Sequence, residues 1–140
     1  MSILACENEV WEGCYRAAFF YRNLGDEINA DKWLRHGCII GEESLSCVLL
    51  INKYNKSGDK NKVDFYFEQL EKSTPASATT FLQMAKTTWK IRKDIKKTVH
   101  WLSWGLISKG FTIDDLEKAD LLKDLRETKE YLEMIKTYKK

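Results

Sequence analysis

The side chains of this sequence that could do chemistry are four cysteines and two histidines. The cysteines are Cys6, Cys14, Cys38 and Cys47, and the histidines are His36 and His100. A tetrahedral metal site needs closely spaced thiolate or imidazole ligands, and the sequence contains no CxxC pair. No nucleophile accompanies either histidine in a catalytic pattern. The spacing therefore predicts small, buried, reduced thiols rather than a metal site or a reactive cysteine.

Paired carboxylates and sequence motifs give no stronger sign of catalysis. Glu42-Glu43 and Asp114-Asp115 are adjacent pairs, and adjacent residues on a helix point apart. Both pairs lie where helices are expected to begin, and a carboxylate there stabilises the helix start. The sequence also lacks GxSxG, a glycine-rich phosphate loop and HExxH. We therefore expect no enzymatic activity, no cofactor, no metal and no small-molecule substrate.

Length and composition indicate one folded domain covering residues 1–140. The chain is 44% hydrophobic and contains only one proline and seven glycines, which disfavours a turn-rich β sandwich. No apolar stretch approaches the roughly 20 residues of a membrane span. The N-terminal residues lack the basic leader of a secretory signal. These features predict a cytoplasmic protein that does not bind membranes.

Three turns recur at intervals of 33 and 35 residues, around Gly25, Gly58 and Lys93. When the sequence is aligned on these residues, matching side chains fall into columns on both sides. Four residues before the turn lies the column Tyr21/Tyr54/Trp89. The columns that lie five, eight, nine and twelve residues after the turn are, in that order, Ala30/Val63/Thr98, Trp33/Tyr66/Trp101, Leu34/Phe67/Leu102 and Gly37/Leu70/Gly105. Such a repeat is typical of stacked helical units, and it predicts that the aromatic columns are packing residues.

Each repeat is predicted to be two helices, with Asp26, Asp59 and Asp94 capping the second helix. A strongly amphipathic helix is expected to follow the repeats and cover the last exposed face. The predicted helices cover residues 8–24, 27–39, 43–56, 60–72, 77–91, 94–108 and 113–137. The repeats then span about 9–41, 42–75 and 76–110, followed by a capping helix at 112–138.

The segments at residues 30–41 and 98–105 resemble the second helix of Sel-like repeats. Each has a small residue, two spacers, a Trp-Leu pair, two further residues and glycine, as in Ala30, Trp33, Leu34 and Gly37. The repeat length and Pro75 resemble the related tetratricopeptide family. The resemblance covers roughly residues 11–110. It implies an all-α, right-handed α-solenoid of three helix–turn–helix repeats with a C-terminal capping helix.

In this family the first helix of each repeat lines a concave, partner-binding face. The resemblance therefore implies a protein-binding site that mixes aromatic, amide and charged side chains. Tyr15 and Phe19 would supply apolar contact area, and Asn52 and Asn55 would bond a peptide backbone. The implied site is Glu12, Tyr15, Phe19, Arg22, Asn52, Asn55, Lys56, Gln83, Thr87 and Lys90.

A basic block in the middle of the chain indicates an acidic protein partner. Residues 51–110 carry 12 basic and 5 acidic side chains, while residues 1–50 carry 4 and 8. Charges of one sign speed the association of an oppositely charged partner. The predicted steering residues are Lys86, Arg92, Lys93, Lys96 and Lys97.

The expected function is to bind or sequester one protein, as bacterial immunity or antitoxin proteins and adaptors of this family do. Two alternatives stay open at this point. Secretion chaperones with three tetratricopeptide repeats have a similar length, although they tend to be acidic. Nucleic-acid binding through the basic block is less favoured, because Trp89, the one aromatic that could stack on a base, already belongs to a packing column.

Overall fold

The computed structural model describes residues 12–75 and 77–139, with the backbone alone at Glu12, Gly13 and Tyr15. This part of the chain is all-helical and has no strand. The α-helices are α1 (Glu12–Asn23), α2 (Glu27–Arg35), α3 (Ser44–Ser57), α4 (Lys60–Lys72), α5 (Thr80–Arg92), α6 (Ile95–Ile107), α7 (Ile113–Glu117) and α8 (Lys129–Tyr138). A π-helical segment covers His36–Ile40, and 3₁₀ turns cover Asp120–Leu122 and Leu125–Glu127. None of these helices is long and apolar enough to cross a membrane.

The chain divides into two compact units at residues 76 and 77. The N-terminal unit contains the first hairpin, formed by α1 and α2, and the second hairpin, formed by α3 and α4. The C-terminal unit contains the third hairpin, formed by α5 and α6, followed by α7 and α8. In each hairpin the two helices pack against each other along their length.

The three hairpin turns share one backbone geometry. Gly25, Gly58 and Lys93 have left-handed φ values of +80°, +81° and +52°. The following aspartates each accept a hydrogen bond from the backbone N–H three residues later, at 3.1, 3.2 and 3.0 Å. A left-handed residue ends one helix, and the carboxylate satisfies a free N–H group of the next. The predicted turns near residues 25, 58 and 93 and their aspartate caps are therefore confirmed.

The columns predicted from the aligned turns form the core of the second helices. Trp33, Tyr66 and Trp101 are buried, and so is every member of the columns immediately before and after them. The upstream aromatic column is only partly buried, because Trp89 is covered whereas Tyr21 and Tyr54 are half-buried. The prediction of packing residues is thus confirmed for the second helices.

The predicted C-terminal helix at 113–137 is wrong, because this segment is broken into α7, two 3₁₀ turns and α8. The Arg126 guanidinium donates to the carbonyl oxygens of Leu116 and Ala119, at 2.9 and 2.7 Å, and so satisfies the end of α7. Thr128 then caps α8 by accepting the N–H of Tyr131. The breaks let Leu122 and Leu125 reach the core together with α7 and α8, which one straight helix with a single apolar stripe does not achieve.

The prediction of reduced thiols is also wrong. Cys38 and Cys47 form a disulfide, Cys14 is disulfide-bonded as well, and the described residues include no free cysteine. Cys38 lies in the π-helical segment and Cys47 in α3, so their nine-residue separation spans the connection between two hairpins. Their Cα atoms are 4.8 Å apart, within the range that a disulfide bridges. Sequence spacing alone does not show this proximity.

Candidate partner-binding surfaces

Four large apolar side chains are exposed around the turn of the first hairpin. Phe19 and Phe20 lie in the second half of α1, Leu24 lies in the turn between the helices, and Ile28 lies in the first turn of α2. Their exposed fractions are 42%, 51%, 67% and 83%. Single exposed apolar residues are common, whereas a larger exposed apolar patch is typical of an interaction site. We call Phe19, Phe20, Leu24 and Ile28 the first-turn surface.

Arg22 lies beside this surface and contacts one of its members. Its guanidinium carbon is 5.8 Å from the centre of the Phe19 ring, and its Nε lies 3.6 Å from Glu27 Oε1. Phe19 and Arg22, both implied as site residues by the family resemblance, are thus brought together. The side chains of Glu12 and Tyr15, implied in the same set, lie outside the described residues.

An ion-pair network joins the first half of α2, next to the turn of the first hairpin, to α3. Lys53 Nζ bonds the Asp31 carboxylate and lies 3.5 Å from Glu27 Oε2. The Tyr54 hydroxyl donates to the other Asp31 oxygen at 2.8 Å. Burial, followed by this hydrogen bond, raises the pKa of Tyr54 to about 12. The network positions α2 against α3, and it therefore holds the first-turn surface on a fixed support.

Aromatic stacking extends this support into the second hairpin. The Tyr54 and Tyr66 rings lie parallel, with centres 5.8 Å apart and an angle of 6° between their planes. Lys62 places its ammonium group 4.6 Å from the centre of the Tyr54 ring. Burial raises the pKa of Tyr66 above its usual value. These contacts give the half-buried Tyr54 ring a packing role within the second hairpin.

The site residues implied in α3 are placed unequally. Asn55 and Lys56 are exposed, as a partner contact requires. Asn52 is half-buried, and its Nδ2 donates to the Val48 carbonyl of the same helix at 3.1 Å. This amide is engaged within its own helix, so it is a weaker candidate for bonding a peptide backbone.

In the third hairpin, Gln83 and Lys90 are exposed, but Thr87 is buried. The inclusion of Thr87 in a binding face is therefore wrong. Thr80, Met84, Thr87 and Thr88 are all buried, and their spacing of four, three and one residues is that of one helix face. Thr88 also donates its hydroxyl to the Met84 carbonyl at 2.8 Å. Threonine resembles a surface residue in sequence, yet here it fills a core position.

The predicted steering residues have two kinds of environment. The ammonium groups of Lys93 and Lys97 lie over the rings of Trp89 and Trp101, at 4.5 and 5.6 Å from the ring centres. Lys96 lines a groove together with Glu130 and Glu133 of α8, and Lys86 is half-buried. Lys90, Arg92, Lys93 and Lys96 are exposed. The turn of the third hairpin is therefore a basic end whose cations also shield two indole rings.

Sequence reasoning missed Phe20, Leu24 and Ile28 as a group, although the aligned turns contained the signal. At the position of Leu24 the other hairpins carry Ser57 and Arg92, and at the position of Ile28 they carry Asn61 and Lys96. A polar residue suffices at these two positions in the other two repeats, so the hairpin fold does not require an apolar side chain at Leu24 or Ile28.

The chain matches no protein-family model, no curated protein and no solved structure. Within the described ranges, no three histidine, cysteine, aspartate or glutamate side chains form a group that could hold a metal ion.

Proposed function

We propose that this chain is a helical-repeat module that binds one protein partner through the first-turn surface. The observation that carries the proposal is the exposure of Leu24 and Ile28 at positions where the other hairpins have polar residues. Aromatic and arginine side chains dominate many protein interfaces, and Phe19 with Arg22 adds such a pair at the edge. The repeated turn geometry supports a solenoid of the tetratricopeptide or Sel-like type.

In this proposal the chain sequesters its partner or acts as an adaptor, and it does not catalyse a reaction. The first-turn surface is convex, because it surrounds the tip of a helical hairpin, and its polar neighbours Arg22 and Glu27 are already paired. Such a surface suits insertion into a partner's apolar pocket. The basic end of the third hairpin supplies the charge that speeds encounter with an acidic partner. An immunity-type protein or an adaptor fits this combination.

The test is capture of the partner with the full chain, followed by binding kinetics of matched variants. Leu24→Ser and Ile28→Asn install the residues of the second hairpin. The control is Ile107→Asn, because Ile107 is an equally apolar, half-exposed residue in α6. We expect each first-turn variant to raise the dissociation rate by a factor of about 10 to 100, the range for truncated interface anchors.

Charge-reversal variants distinguish residues that hold the partner from residues that only speed its association. Lys90→Glu and Arg92→Glu should slow association at low salt and change dissociation little, because exposed charges act mainly on encounter. The proposal is wrong if Ile28→Asn binds like the wild type, or if Ile107→Asn weakens binding as much as Ile28→Asn does.

A further inference from the structure

The Cys38–Cys47 disulfide lies at the junction between the first and second hairpins. It joins the π-helical segment at the end of α2 to the first half of α3. The exposed fractions of Cys38 and Cys47 are 1% and 0%. A buried disulfide is out of reach of dissolved thiols unless the surrounding structure opens.

The packing around this bond leaves little room for rearrangement. A Cβ atom added to Gly37 would lie 2.6 Å from Ser46 Oγ and 2.8 Å from Cys14 Cβ. Ser46 in turn donates its N–H and its hydroxyl to the buried Glu43 carboxylate, at 2.8 and 2.9 Å. Cys14, which is itself disulfide-bonded, is completely buried here. The junction is therefore closely packed at Gly37, the residue directly before Cys38.

The cysteines of the described residues serve no other visible purpose. None is free, none belongs to a group of metal ligands, and both members of the bridge lie away from the first-turn surface in sequence. Cytoplasmic proteins seldom keep such bonds, because glutathione and thioredoxin systems reduce their thiols. The cytoplasmic location expected from the sequence is therefore at odds with the covalent structure of the junction.

We infer that this chain folds in an oxidising compartment, where a disulfide donor closes the Cys38–Cys47 bridge before the junction is buried. The two thiols lose two protons and two electrons as the S–S bond forms, and the donor's disulfide takes them up and leaves as a dithiol. Once the junction is packed, burial protects the bond from reduction. The partner of the chain is accordingly to be sought outside the reducing cytoplasm.

Thiol trapping in the cells that make the chain tests this inference without knowledge of the partner. Cells are quenched in acid, free thiols are blocked with N-ethylmaleimide, and disulfides are then reduced and labelled with a second, heavier reagent. We expect Cys38 and Cys47 to carry only the second label, and an unreduced digest to contain their linked peptide. The inference is overturned if both cysteines carry N-ethylmaleimide.

A second measurement asks whether the junction depends on the bond. The full chain is produced once in an oxidising and once in a reducing compartment of the same host, alongside the variant Cys38→Ala/Cys47→Ala. We expect the reduced wild-type chain to melt at least 5 °C below the oxidised one (on the order of the shift from losing a disulfide). The variant should show a smaller difference between compartments, because only the disulfide of Cys14 is then left to respond. Equal melting temperatures for the oxidised and reduced wild-type chains would contradict a junction built around the bridge.

Discussion

The first and third hairpins have the same turn but different surroundings. Both turn through a left-handed residue, Gly25 or Lys93, and both continue from an aspartate cap. The first hairpin surrounds this turn with apolar side chains, whereas the third surrounds it with cations that lie over buried indoles. The backbone of a hairpin therefore depends on a few positions, and the remaining turn positions are open to function.

The way each hairpin is secured differs as well. The N-terminal unit uses the Lys53–Asp31–Tyr54 network and a buried disulfide. The third hairpin belongs to a unit whose sequence contains no cysteine, and it relies on packing such as the stacked rings of Phe81 and Trp101, 6.3 Å apart. The C-terminal unit also leaves the indole N–H groups of Trp89 and Trp101 without a hydrogen-bond partner. These differences can be probed one by one.

The largest effect is expected from truncating the equivalent tryptophans. Trp33→Ala and Trp101→Ala should each lower the free energy of unfolding by about 3–5 kcal/mol, because each leaves a large cavity in a packed core. Urea denaturation followed by circular dichroism measures the loss. Wild-type stability of Trp33→Ala would show that the alignment of the repeats does not describe the packing.

Phenylalanine variants of the same two tryptophans separate the loss of packing from the loss of the indole N–H group. Trp101→Phe removes a buried N–H that has no acceptor, so part of the lost packing is offset by the removal of a desolvated donor. We therefore expect Trp101→Phe to cost less than Trp33→Phe. The reverse order would indicate that the Trp101 indole nitrogen is satisfied in solution.

The features that the sequence predicted are those specified by local, repeated chemistry. Turn residues, aspartate caps and the buried columns of the second helices each follow from side chains within a few positions, and the structure has all of them. The exposure of Ile28 was not foreseen, because an apolar residue at helical spacing predicts burial whether or not a neighbour covers it. Polar residues at equivalent positions of the other hairpins were the missing information.

The features that the sequence did not predict depend on contacts between distant segments. The partnership of Cys38 and Cys47 depends on how one hairpin follows another, and the breaks after α7 depend on Arg126 reaching back to two carbonyls. Thr87 was implied as a site residue because the family resemblance places its position, six residues before the turn, on the partner-binding face. Only the neighbouring Met84 and Thr88 show that its helix face is buried.

A smaller effect is expected from exchanging the left-handed turn residues. An added Cβ at Gly58 meets no atom within 4 Å, so Gly58→Lys should cost only the left-handed strain, about 1 kcal/mol. Lys93→Gly removes that strain but also loses the ammonium contact with the Trp89 ring, which contributes about 0.5–1 kcal/mol. The two effects of Lys93→Gly on the free energy of unfolding therefore nearly cancel.

Thermal unfolding of the pair tests this balance. Gly58→Lys should lower the melting temperature clearly, and Lys93→Gly should leave it almost unchanged. Lys93→Ala is the control, since it keeps the strain and loses the ring contact, and it should be less stable than Lys93→Gly. Equal stability of the alanine and glycine variants would indicate that the turn at Lys93 is not strained.

Two tyrosines, one in each unit, make stability depend on pH only under alkaline conditions. Burial is the main cause that raises the pKa of both Tyr54 and Tyr131 to about 12, from a usual value of 10.0. Hydrogen bonding to Asp31 adds to the shift at Tyr54, and the charge of Glu117 adds to it at Tyr131. A raised pKa means that the folded state holds the phenolic proton more tightly than the unfolded state does.

Stability from these protons is therefore complete below pH 10 and is lost as the pH rises from 10 towards 12. Ultraviolet absorbance of the phenolates during alkaline titration should include late-titrating groups, of which Tyr54→Phe and Tyr131→Phe each remove one. Asp31→Asn should bring the titration of Tyr54 to lower pH, because the carboxylate no longer disfavours the phenolate, and should leave Tyr131 unchanged. An unchanged Tyr54 in that variant would show that burial alone sets its pKa and that the Asp31 network does not hold α2 to α3 in solution.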